Sequence, residues 1–563
     1  MLKKLRLEFH HIVALVSFLV GFYGLFIITS TLLDQFSIHR LRFVNSFTID
    51  VHIVFGLGFI YLSLLLLRRK KNALYLALTA FTFLLVDGVA EIVIHPNLHK
   101  FNALIVGRYI ALPLVIMGSL IVTHDEFKVK SDQQAFTNSL RLAVIVFIIT
   151  FAYGVSGFML MAKTDFHQEI GFTSALYHTA DQFDLFSNHP LKPYTKRARL
   201  FNDSLSFVSL AAIGYLIISL FQPVRARLID QSDQRDRLKI ILDKYGALSE
   251  DFFKLWPKDK HYFFESKGEA AIAYQTRHGV ALVLGDPVGN KKSYASLFSE
   301  FSDMCWSNDW QPALIHVDER FIQFYKDLGF QLQLIGQEAF VNIEHFVAKT
   351  SRNKYFRNIK NRFNKENFSF EVLEPPHHQA VLTRMQAISD DWLSKPGRTE
   401  RGFVMGYYSE EYVQQCNIAV VRDAAKTIQA FMNIIPSDSF NKREVTYDML
   451  RTTKDAPPNI NDFLLYSLLY NLKDEGYKIL SLGLSPLVGL DEASSESSLI
   501  SSVLRFAYVN GDRIYSFSGL HRFKEKYEPK WEDRFIGYRG GVRGFSRMLN
   551  GLASAMKVRN LKR

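Results

Sequence analysis

The stretch Tyr515-Ser-Phe-Ser-Gly-Leu-His-Arg-Phe-Lys-Glu-Lys-Tyr-Glu-Pro-Lys-Trp531 concentrates cations and aromatic side chains near the C-terminal end of the chain. Arg522, Lys524 and Lys526 lie within five positions and alternate with other residues that include Phe523. Lys and Arg supply charge-assisted donors, and aromatic rings fix the direction of such side chains, so this pattern favours a phosphate-rich ligand. A solvated basic turn on a globular surface is the alternative interpretation.

The composition of the chain limits its architecture and its partners. A chain of 563 residues is too long for one core, and we expect about two to four domains. The formal net charge of +12, with a sequence pI near 9.3, favours an anionic partner such as nucleic acid or an acidic lipid surface. The two cysteines, Cys305 and Cys416, lie far apart and form neither a disulfide framework nor a metal-binding pattern. We therefore expect reduced thiols and no metal site.

The first 222 residues contain repeated apolar segments that are long enough to cross a bilayer, at roughly 18–24 residues each. No small-residue cleavage site follows the first segment, which favours an anchor over a signal peptide. This pattern predicts an N-terminal α-helical transmembrane bundle over residues 1–222, followed by a helical linker over residues 223–246. The six predicted spans are His11–Leu33, Ile49–Leu67, Asn72–Ile94, Asn102–Thr123, Ser139–Met161 and Leu205–Phe221.

Basic residues in the loops between the predicted spans indicate the orientation, because Lys and Arg concentrate on the cytoplasmic side. Groups at Lys3–Arg6, Arg68–Lys71 and Arg225–Arg237 fall on one side if the N-terminus is cytoplasmic, whereas two smaller groups fall on the other. An even number of spans then places the N-terminus and everything after Phe221 in the cytoplasm. The sequence therefore predicts a multi-pass membrane protein with a large cytoplasmic part.

Some ionisable residues lie within the predicted spans. Asp87 and Glu91 are four residues apart and share one face of the third span, and Arg108 lies in the fourth. Charged side chains at that depth are costly unless they are paired or face a cavity. These residues therefore form either a functional site in the membrane or a structural ion pair that joins two helices.

The remaining two-thirds of the chain alternates like a soluble α/β protein. Short strands are expected at His261–Ser266, Ala270–Arg277 and Val280–Leu284, and similar patterns occur at Ile428–Pro436 and Glu444–Leu450. Helical patterns separate these groups of strands. Two mixed α/β units in succession predict tandem acyltransferase-like domains.

The limits of these units follow from the helices that lead them. We expect the first half over residues 247–347 and the second half, which carries the active site, over residues 348–545. Apolar residues among the cations of the tail predict a basic amphipathic helix over residues 546–563 that lies at a membrane surface.

A basic helix is expected at the start of the second half, over Ser351–Asn367. Its apolar residues recur at helical spacing, while no acidic residue precedes Glu366. An ordinary amphipathic helix with a solvated basic face is one interpretation. We favour a contact surface for RNA or anionic lipid, because so many cations lack compensating acids. The cations assigned to this surface are Arg352, Lys354, Arg357 and Lys360.

Several local motifs occur in order along the cytoplasmic part. They are Gly285-Asp-Pro-Val-Gly289, Asp391-Trp-Leu-Ser, Glu400-Arg-Gly-Phe-Val-Met-Gly406, Ser409-Glu-Glu-Tyr412, Tyr447-Asp-Met-Leu-Arg451, Asn461-Asp-Phe-Leu464, Leu482-Gly-Leu-Ser-Pro-Leu-Val-Gly-Leu490 and Phe517-Ser-Gly-Leu-His-Arg-Phe-Lys-Glu-Lys526. In this order and spacing they resemble the C-terminal synthase domain of the bacterial phosphatidylglycerol lysyltransferases, the multiple-peptide-resistance family. The resemblance covers about residues 240–545.

The resemblance implies tandem GNAT-type folds and a tRNA-dependent reaction at the bacterial inner (cytoplasmic) membrane. An aminoacyl group, lysyl by the family's name, would pass from aminoacyl-tRNA to the glycerol hydroxyl of phosphatidylglycerol. This lipid aminoacylation would lower the negative charge of the membrane and confer resistance to cationic antimicrobial peptides. Asn459, Asn461 and Ser481 depart from the family pattern, so the donated amino acid and the acceptor lipid stay open.

The implied partners are aminoacyl-tRNA as co-substrate and phosphatidylglycerol in the membrane, and homo-oligomerisation is left open. No cofactor and no metal are expected, because the aminoacyl ester is already activated. Two other function classes remain alternatives at this point. One is a CoA-dependent lipid acyltransferase, and the other is a non-catalytic lipid binder or translocator.

Ester exchange needs an acceptor for the hydroxyl proton, positive charge near the developing oxyanion and an anionic subsite for the amino group. The resemblance assigns catalysis to Asp448, Arg451 and Lys524. Asp448 would hold the aminoacyl ammonium or the attacking hydroxyl, and Arg451 would contact a phosphate or the ester oxygen. A salt bridge between Asp448 and Arg451 is the structural alternative.

Five further residues are assigned to substrate binding: Glu400, Arg401, Asp462, Arg522 and Lys526. Glu400 and Arg401 would shape the cavity, with Glu400 a candidate for the donor's amino group. Lys526, together with Lys524, would contact the lipid phosphate or the terminal phosphates of the tRNA. Asp462 has a helix N-cap as its alternative role.

Overall fold

The computed structural model describes residues 12–29, 51–94, 110–183, 193–224, 232–245, 248–395, 397–437, 444–486 and 517–558. The chain divides into two units. One comprises Met1–Val224 with Ser307–Asp309, and the other comprises the remaining residues.

The described part of the first unit is built from apolar helices. Branched and aromatic apolar residues fill these segments, and Pro113 lies in the first turn of its helix, where a missing N–H breaks no helical hydrogen bond. The helices are α1 (Ile12–Thr29), α2 (Val51–Leu67), α3 (Lys71–Ile94), α4 (Leu112–Val122), α5 (Gln133–Asp165), α6 (Phe172–Phe183) and α7 (Lys196–Ser219).

Two of these helices, α1 and α5, are long and apolar enough to cross a membrane. The apolar segments of α2, α3 and α4 are shorter than a full span in the described residues. The bundle of six spans therefore stays a prediction. The predicted intramembrane cluster also stays untested, because the side chains of Asp87 and Glu91 and the whole of Arg108 lie outside the described residues.

Aromatic side chains form the cores of the first unit. Tyr23, Phe59 and Phe81 meet where α1, α2 and α3 pack together. Phe158 and Phe201 join α5 to α7, with ring centroids 5.1 Å apart. Many large apolar side chains point outward instead of into these cores.

The second unit is organised on one 13-stranded sheet. Its main order is β1-β2-β3-β5-β13-β6-β12-β10-β9-β8-β7, with β4 beside β2 and β11 beside β9. The strands are β1 (His261–Phe264), β2 (Ala270–Arg277), β3 (Val280–Leu284), β4 (Val288–Gly289), β5 (Gln311–Asp318), β6 (Gln331–Asn342), β7 (Ser369–Leu373), β8 (Asn417–Arg422), β9 (Ile428–Pro436), β10 (Glu444–Thr446), β11 (Leu450–Thr452), β12 (Ile479–Pro486) and β13 (Lys530–Tyr538).

Two long strands join the halves of this sheet. β13, close to the C-terminus, lies between β5 and β6 and is antiparallel to both. β6 in turn pairs with β12 of the second half. The two predicted halves therefore share one continuous sheet, and the last strand of the chain completes the first half.

Helices cover both faces of this sheet. They are α8 (Ser232–Tyr245), α9 (Phe252–Leu255), α10 (Tyr294–Ser307), α11 (Ile322–Asp327), α12 (Ile343–Ala348), α13 (Lys354–Lys365), α14 (Gln379–Leu393), α15 (Glu410–Val413), α16 (Ile460–Asp474), α17 (Phe517–Glu525) and α18 (Gly541–Met556). Alternation along β8 shows how the two layers form: Ile418 and Val420 share a core with α14, whereas Ala419 and Val421 share one with α13 and α16.

The tail helix differs from the expectation of a membrane-surface helix. α18 begins at Gly541, and Phe545, Met548 and Ala555 on its apolar face are buried against the first half of the sheet. This face belongs to a core with Val280 of β3, so it is not available to a lipid surface. Burial of this apolar face against the sheet stabilises the helix.

Candidate active site

A cavity of about 710 Å³ in the second unit brings the predicted catalytic residues together. Asp448, Arg451 and Lys524 all line it, and so do Glu400 and Arg401. Apolar residues make up much of the remaining wall, and a mostly apolar cleft with a few convergent polar groups is typical of a small-molecule site.

Asp448 lies in a break between two short strands, where the sequence predicted one continuous strand. Residues Tyr447–Met449 leave the sheet between β10 and β11. Asn433, fully buried in β9, holds this break through its side-chain oxygen, which accepts a hydrogen bond of 2.8 Å from the backbone N–H of Met449. The interruption turns Asp448 towards the cavity.

Three donors fix the carboxylate of Asp448. The Asn433 amide donates to Oδ1 at 2.6 Å and the Tyr412 hydroxyl donates to Oδ2 at 2.8 Å, while the backbone N–H of Gly406 also donates to Oδ2. A carboxylate offers about four acceptor positions, so one remains for a substrate group. Burial raises the pKa of Asp448, although these hydrogen bonds oppose the effect.

Gly406 allows this arrangement because it has no side chain. A Cβ at this position would collide with Asp448 Oδ2 and with the ring of Tyr412.

We expect Gly406→Ala to lower the rate of the reaction about 100-fold, since a displacement of about 1 Å of a catalytic group has effects of this size. Steady-state kinetics would measure this, with Gly118→Ala as the control, because a Cβ at Gly118 meets no atom within 4 Å. Equal rates for the two variants would contradict the assignment.

Arg451 pairs with Glu400 and not with Asp448. Its two terminal nitrogens donate to the two carboxylate oxygens of Glu400, each at 2.8 Å, and one of them also donates to Ser389 Oγ. Its guanidinium lies 5.0 Å from the ring centroid of Trp392. The structure therefore replaces the alternative salt bridge with a bidentate pair that fixes both Arg451 and Glu400 at the cavity wall.

Lys524 is a buried lysine at the cavity wall, with only 2% of its surface exposed. Its ammonium donates to the carbonyl oxygens of Gly483 at 2.7 Å and Leu484 at 2.9 Å. Burial lowers the pKa of Lys524 to about 7, although the negative charge of Glu338 opposes this shift. A lysine that is half neutral at pH 7 suits proton transfer better than the phosphate contact expected from the sequence.

Asp462 and Lys526 belong to a separate polar network. Lys526 Nζ and the Tyr527 hydroxyl donate to Asp462 Oδ1 at 2.6 and 2.8 Å, and the Tyr355 hydroxyl donates to Asp462 Oδ2 at 2.9 Å. The N-cap of α16 is Asn459, so Asp462 is neither this cap nor a cavity residue. This network joins α13, α16 and the segment after α17.

Arg522 also lies away from the cavity. Its side chain is exposed on α17, and neither Arg522 nor Lys526 contributes to the cavity wall. Of the three cations Arg522, Lys524 and Lys526, Lys524 alone lines the cavity.

Several ionisable residues that the sequence did not single out also line the cavity, and Glu250, His316 and Glu338 form a cluster among them. His316 Nδ1 lies 3.2 Å from Glu250 Oε2, and His316 Nε2 lies 3.7 Å from Glu338 Oε2. Burial alone would lower the pKa of His316, but the two carboxylates outweigh burial and raise it. The ring thus lies between two carboxylates that favour its protonated form.

These three residues have ligand atoms within 4.8 Å of one another, as a metal site requires. The two nitrogens of His316 face different carboxylates from opposite edges of the ring, however. One ion cannot use both nitrogens, and Glu338 already accepts a hydrogen bond of 2.8 Å from Arg534. This donor arrangement favours an ion-pair cluster over a metal centre.

The predicted basic helix is present as α13. Phe356, Ile359 and Phe363 are buried on its inner face. The cations of the predicted surface, Arg352, Lys354, Arg357 and Lys360, are all exposed. The described structure thus presents a row of cations on the outside of the second half.

The second unit combines one continuous α/β sheet with a cavity that Asp448, Arg451 and Lys524 line. Residues 239–538 match the family model described as phosphatidylglycerol lysyltransferase, C-terminal. The chain therefore belongs to the phosphatidylglycerol lysyltransferase C-terminal family.

Curated relatives support this placement. The phosphatidylglycerol lysyltransferase of Bacillus subtilis (strain 168) is 30% identical over 336 residues, which cover 59% of this chain and 38% of that protein. The enzyme of the same name from Staphylococcus aureus (strain MRSA252) is 28% identical over 339 residues, which cover 59% of this chain and 38% of that protein. The matched region is thus well under half the length of these relatives.

Among solved structures, L-PGS from Bacillus licheniformis is similar to this chain. It has 30% sequence identity and a TM-score of 0.50, and the match covers 56% of this chain and 95% of that structure. More than half of this chain is therefore similar in fold to that solved structure.

Proposed function

We propose that this protein transfers an aminoacyl group from aminoacyl-tRNA to the glycerol hydroxyl of phosphatidylglycerol. The observation that carries the proposal is the single cavity that Asp448, Arg451 and Lys524 share. The names of the curated relatives support lysyl as the aminoacyl group and phosphatidylglycerol as the acceptor.

The proposed reaction exchanges one ester for another. Neutral Lys524 takes the proton of the lipid hydroxyl as its oxygen attacks the aminoacyl carbonyl carbon. The tetrahedral intermediate then loses the ribose oxygen of the tRNA, which receives this proton from Lys524. One ester bond forms and one breaks, so no cofactor has to supply electrons or a leaving group.

The other cavity residues hold the substrate during this exchange. Asp448 has one acceptor position left, which suits the α-ammonium of the aminoacyl group. Arg451, held by Glu400, places positive charge at the cavity where the carbonyl oxygen becomes negative. Arg401 lies on the same wall and adds to this charge.

A membrane location fits the surface of the first unit. Phe18 is 68% exposed and Leu160 is 81% exposed, and both lie on the two helices long enough to span a bilayer. Lipid tails are the solvent in which such side chains are stable. We propose a multi-pass protein of the bacterial inner membrane, with the N-terminus and the catalytic unit in the cytoplasm.

We propose that the exposed cations of α13 contact the phosphates of the tRNA. The double variant Arg357→Ala/Lys360→Ala should lose two phosphate contacts, and we expect it to raise KM for the charged tRNA about tenfold. The slope of the logarithm of the tRNA binding constant against the logarithm of the salt concentration should become shallower by about 1.5. Filter binding at several salt concentrations would measure the slope. Lys291→Ala/Lys292→Ala is the matched control, because it removes two exposed cations from the first half. Equal slopes for the two variants would rule out α13 as the tRNA surface.

Lipid mass spectrometry tests the proposed function in cells. A bacterium that lacks aminoacylated phosphatidylglycerol should acquire an aminoacyl ester of this lipid when it expresses the full chain. The mass added to the lipid identifies the amino acid. An unchanged lipid profile with well-expressed protein would contradict the proposal, and an acyl chain in place of an amino acid would indicate a CoA-dependent acyltransferase.

A further inference from the structure

The backbone conformation at His316 directs this side chain into the cavity, where it forms a cluster with Glu250 and Glu338. His316 has a positive φ of 65°, a conformation that is uncommon for residues other than glycine. The pairing of β5 with β13 shifts register between Phe535 and Gly537, next to this position. Such a bulge re-aims side chains, and here it turns His316 inward between the two glutamates.

Glu250 differs from the other carboxylates of the cavity in how its charge is balanced. Glu400 is neutralised by Arg451, and Glu338 accepts hydrogen bonds from Arg534 at 2.8 Å and from Ser481 at 2.6 Å. The ion-pair partner of Glu250 within the described residues is the titratable His316, and its Oε2 atom is buried without a hydrogen bond of good geometry. A second cation can therefore compete with His316 for this oxygen.

Hydrogen bonds connect this cluster to the strand that leads to Asp448. Ser249, in the same turn as Glu250, donates to Glu444 at the start of β10. At the end of β10, Thr446 donates to the backbone oxygen of Ser481, and the Ser481 hydroxyl donates to Glu338 at 2.6 Å. The cluster and the break that carries Asp448 are thus fixed to the same strand.

We infer that the Glu250–His316–Glu338 cluster is the subsite for a cationic side chain on the donated amino acid, an inference that rests on the proposed function. Asp448 holds the α-ammonium, and the side-chain ammonium enters between the two carboxylates in place of the imidazolium proton. His316 then releases that proton to solvent, so that charge stays balanced in the buried cluster. The cluster selects a cationic amino acid over a neutral one of similar length.

Other charged groups surround this cluster. Arg534 of β13 and Lys254 of α9 are cations that face the carboxylates, but each has another acid as its partner. His316 is the cation of the cluster that can become neutral by losing a proton, and the two carboxylates raise its pKa. The affinity for a cationic side chain should therefore rise as the pH rises through the pKa of His316.

Two amino acid esters test the subsite without tRNA or lipid. Calorimetry on the purified full chain in detergent would compare lysine methyl ester with norleucine methyl ester, which lacks the side-chain ammonium. We expect Glu250→Gln to weaken binding of the lysine ester about tenfold or more and to change binding of the norleucine ester less than about twofold, since a charge-assisted hydrogen bond is lost. Glu344→Gln, an exposed position outside the cavity, is the matched control.

A second variant changes affinity in the opposite direction. His316→Asn keeps the positive φ accessible, because Asn tolerates this conformation, and it removes the competing cation. It should strengthen binding of the lysine ester and abolish the rise of affinity with pH. If either variant weakens both esters equally, or if neither variant changes the preference for the lysine ester, the cluster is structural and the inference fails. Absence of transfer with preserved ester selectivity would instead contradict the proposed function alone.

Discussion

Asp448→Asn is expected to lower kcat/KM for aminoacyl transfer about 1,000-fold. The variant loses the charge that binds the α-ammonium and introduces a buried amide whose N–H groups lack hydrogen-bond acceptors. The Asn433 amide donates to Asp448 Oδ1 at 2.6 Å, and a second amide at position 448 would place two amide groups against each other. The loss should appear in kcat as well as in KM, since the ammonium fixes the carbonyl for attack.

Radiolabelled transfer with purified full chain would measure the effect of Asp448→Asn. Asp474→Asn is the matched control, because Asp474 is exposed at the end of α16 and does not line the cavity. A less than tenfold loss, with the circular dichroism spectrum unchanged, would remove Asp448 from the proposed site.

The second prediction concerns the charge state of Lys524. Because burial lowers its pKa to about 7, the neutral amine becomes the main form as the pH rises above 7, and the rate should rise with it. Lys524→Arg cannot supply a neutral base at this pH, and we expect it to lower kcat about 100- to 10,000-fold and to remove the ionisation near pH 7. Stopped-time transfer assays from pH 5.5 to about 9 would give both profiles.

The same profiles separate proton transfer from phosphate binding. A lysine that only binds phosphate would lose its charge as the pH rises through 7, so that activity would fall, and Lys524→Arg would restore activity at high pH. Asp286 and Glu444 also have pKa values raised to about 7 by burial, but neither lines the cavity. Loss of the ionisation in Lys524→Arg therefore assigns it to Lys524.

The alternating patterns of the sequence predicted many strands and helices of the second unit well. Ala270–Arg277, Val280–Leu284 and Ile428–Pro436 are strands with the bounds that the patterns indicated. These segments have one or two buried faces filled by apolar residues. The spacing of apolar residues along the sequence indicates which faces of a segment are buried, so segments of this kind can be predicted from the sequence.

The two strands that join the halves gave no such signal. β13 carries Glu532, Asp533 and Arg534 in succession, a run that is typical of an exposed segment. Arg534 is nevertheless 2% exposed, because it pairs with Glu338 of the neighbouring strand β6. The charges of one strand are thus neutralised by those of another far away in the chain, and a local pattern cannot show this.

The residues of the candidate site also differ in how clearly the sequence alone indicated them. Asp448, Arg451 and Lys524 were predicted because they lie in recognisable motifs, and all three line the cavity. Asn433 carried a weak signal, as a single amide within the apolar run Phe431–Ile435, and its role in breaking the strand at Asp448 depends on pairing in the folded sheet. Asp462 shows the opposite case, since its motif suggested a substrate contact and its neighbours Tyr355 and Tyr527 bind it in a structural network.

We propose that the cavity with Asp448, Arg451 and Lys524 is where an aminoacyl group passes from tRNA to phosphatidylglycerol. The most direct measurement uses the purified full chain, vesicles that contain phosphatidylglycerol and tRNA charged with radiolabelled lysine. We predict label in the lipid fraction with the wild-type chain, and none after ribonuclease treatment or with Asp448→Asn. Label that resists ribonuclease, or equal label with wild type and Asp448→Asn, would contradict this claim.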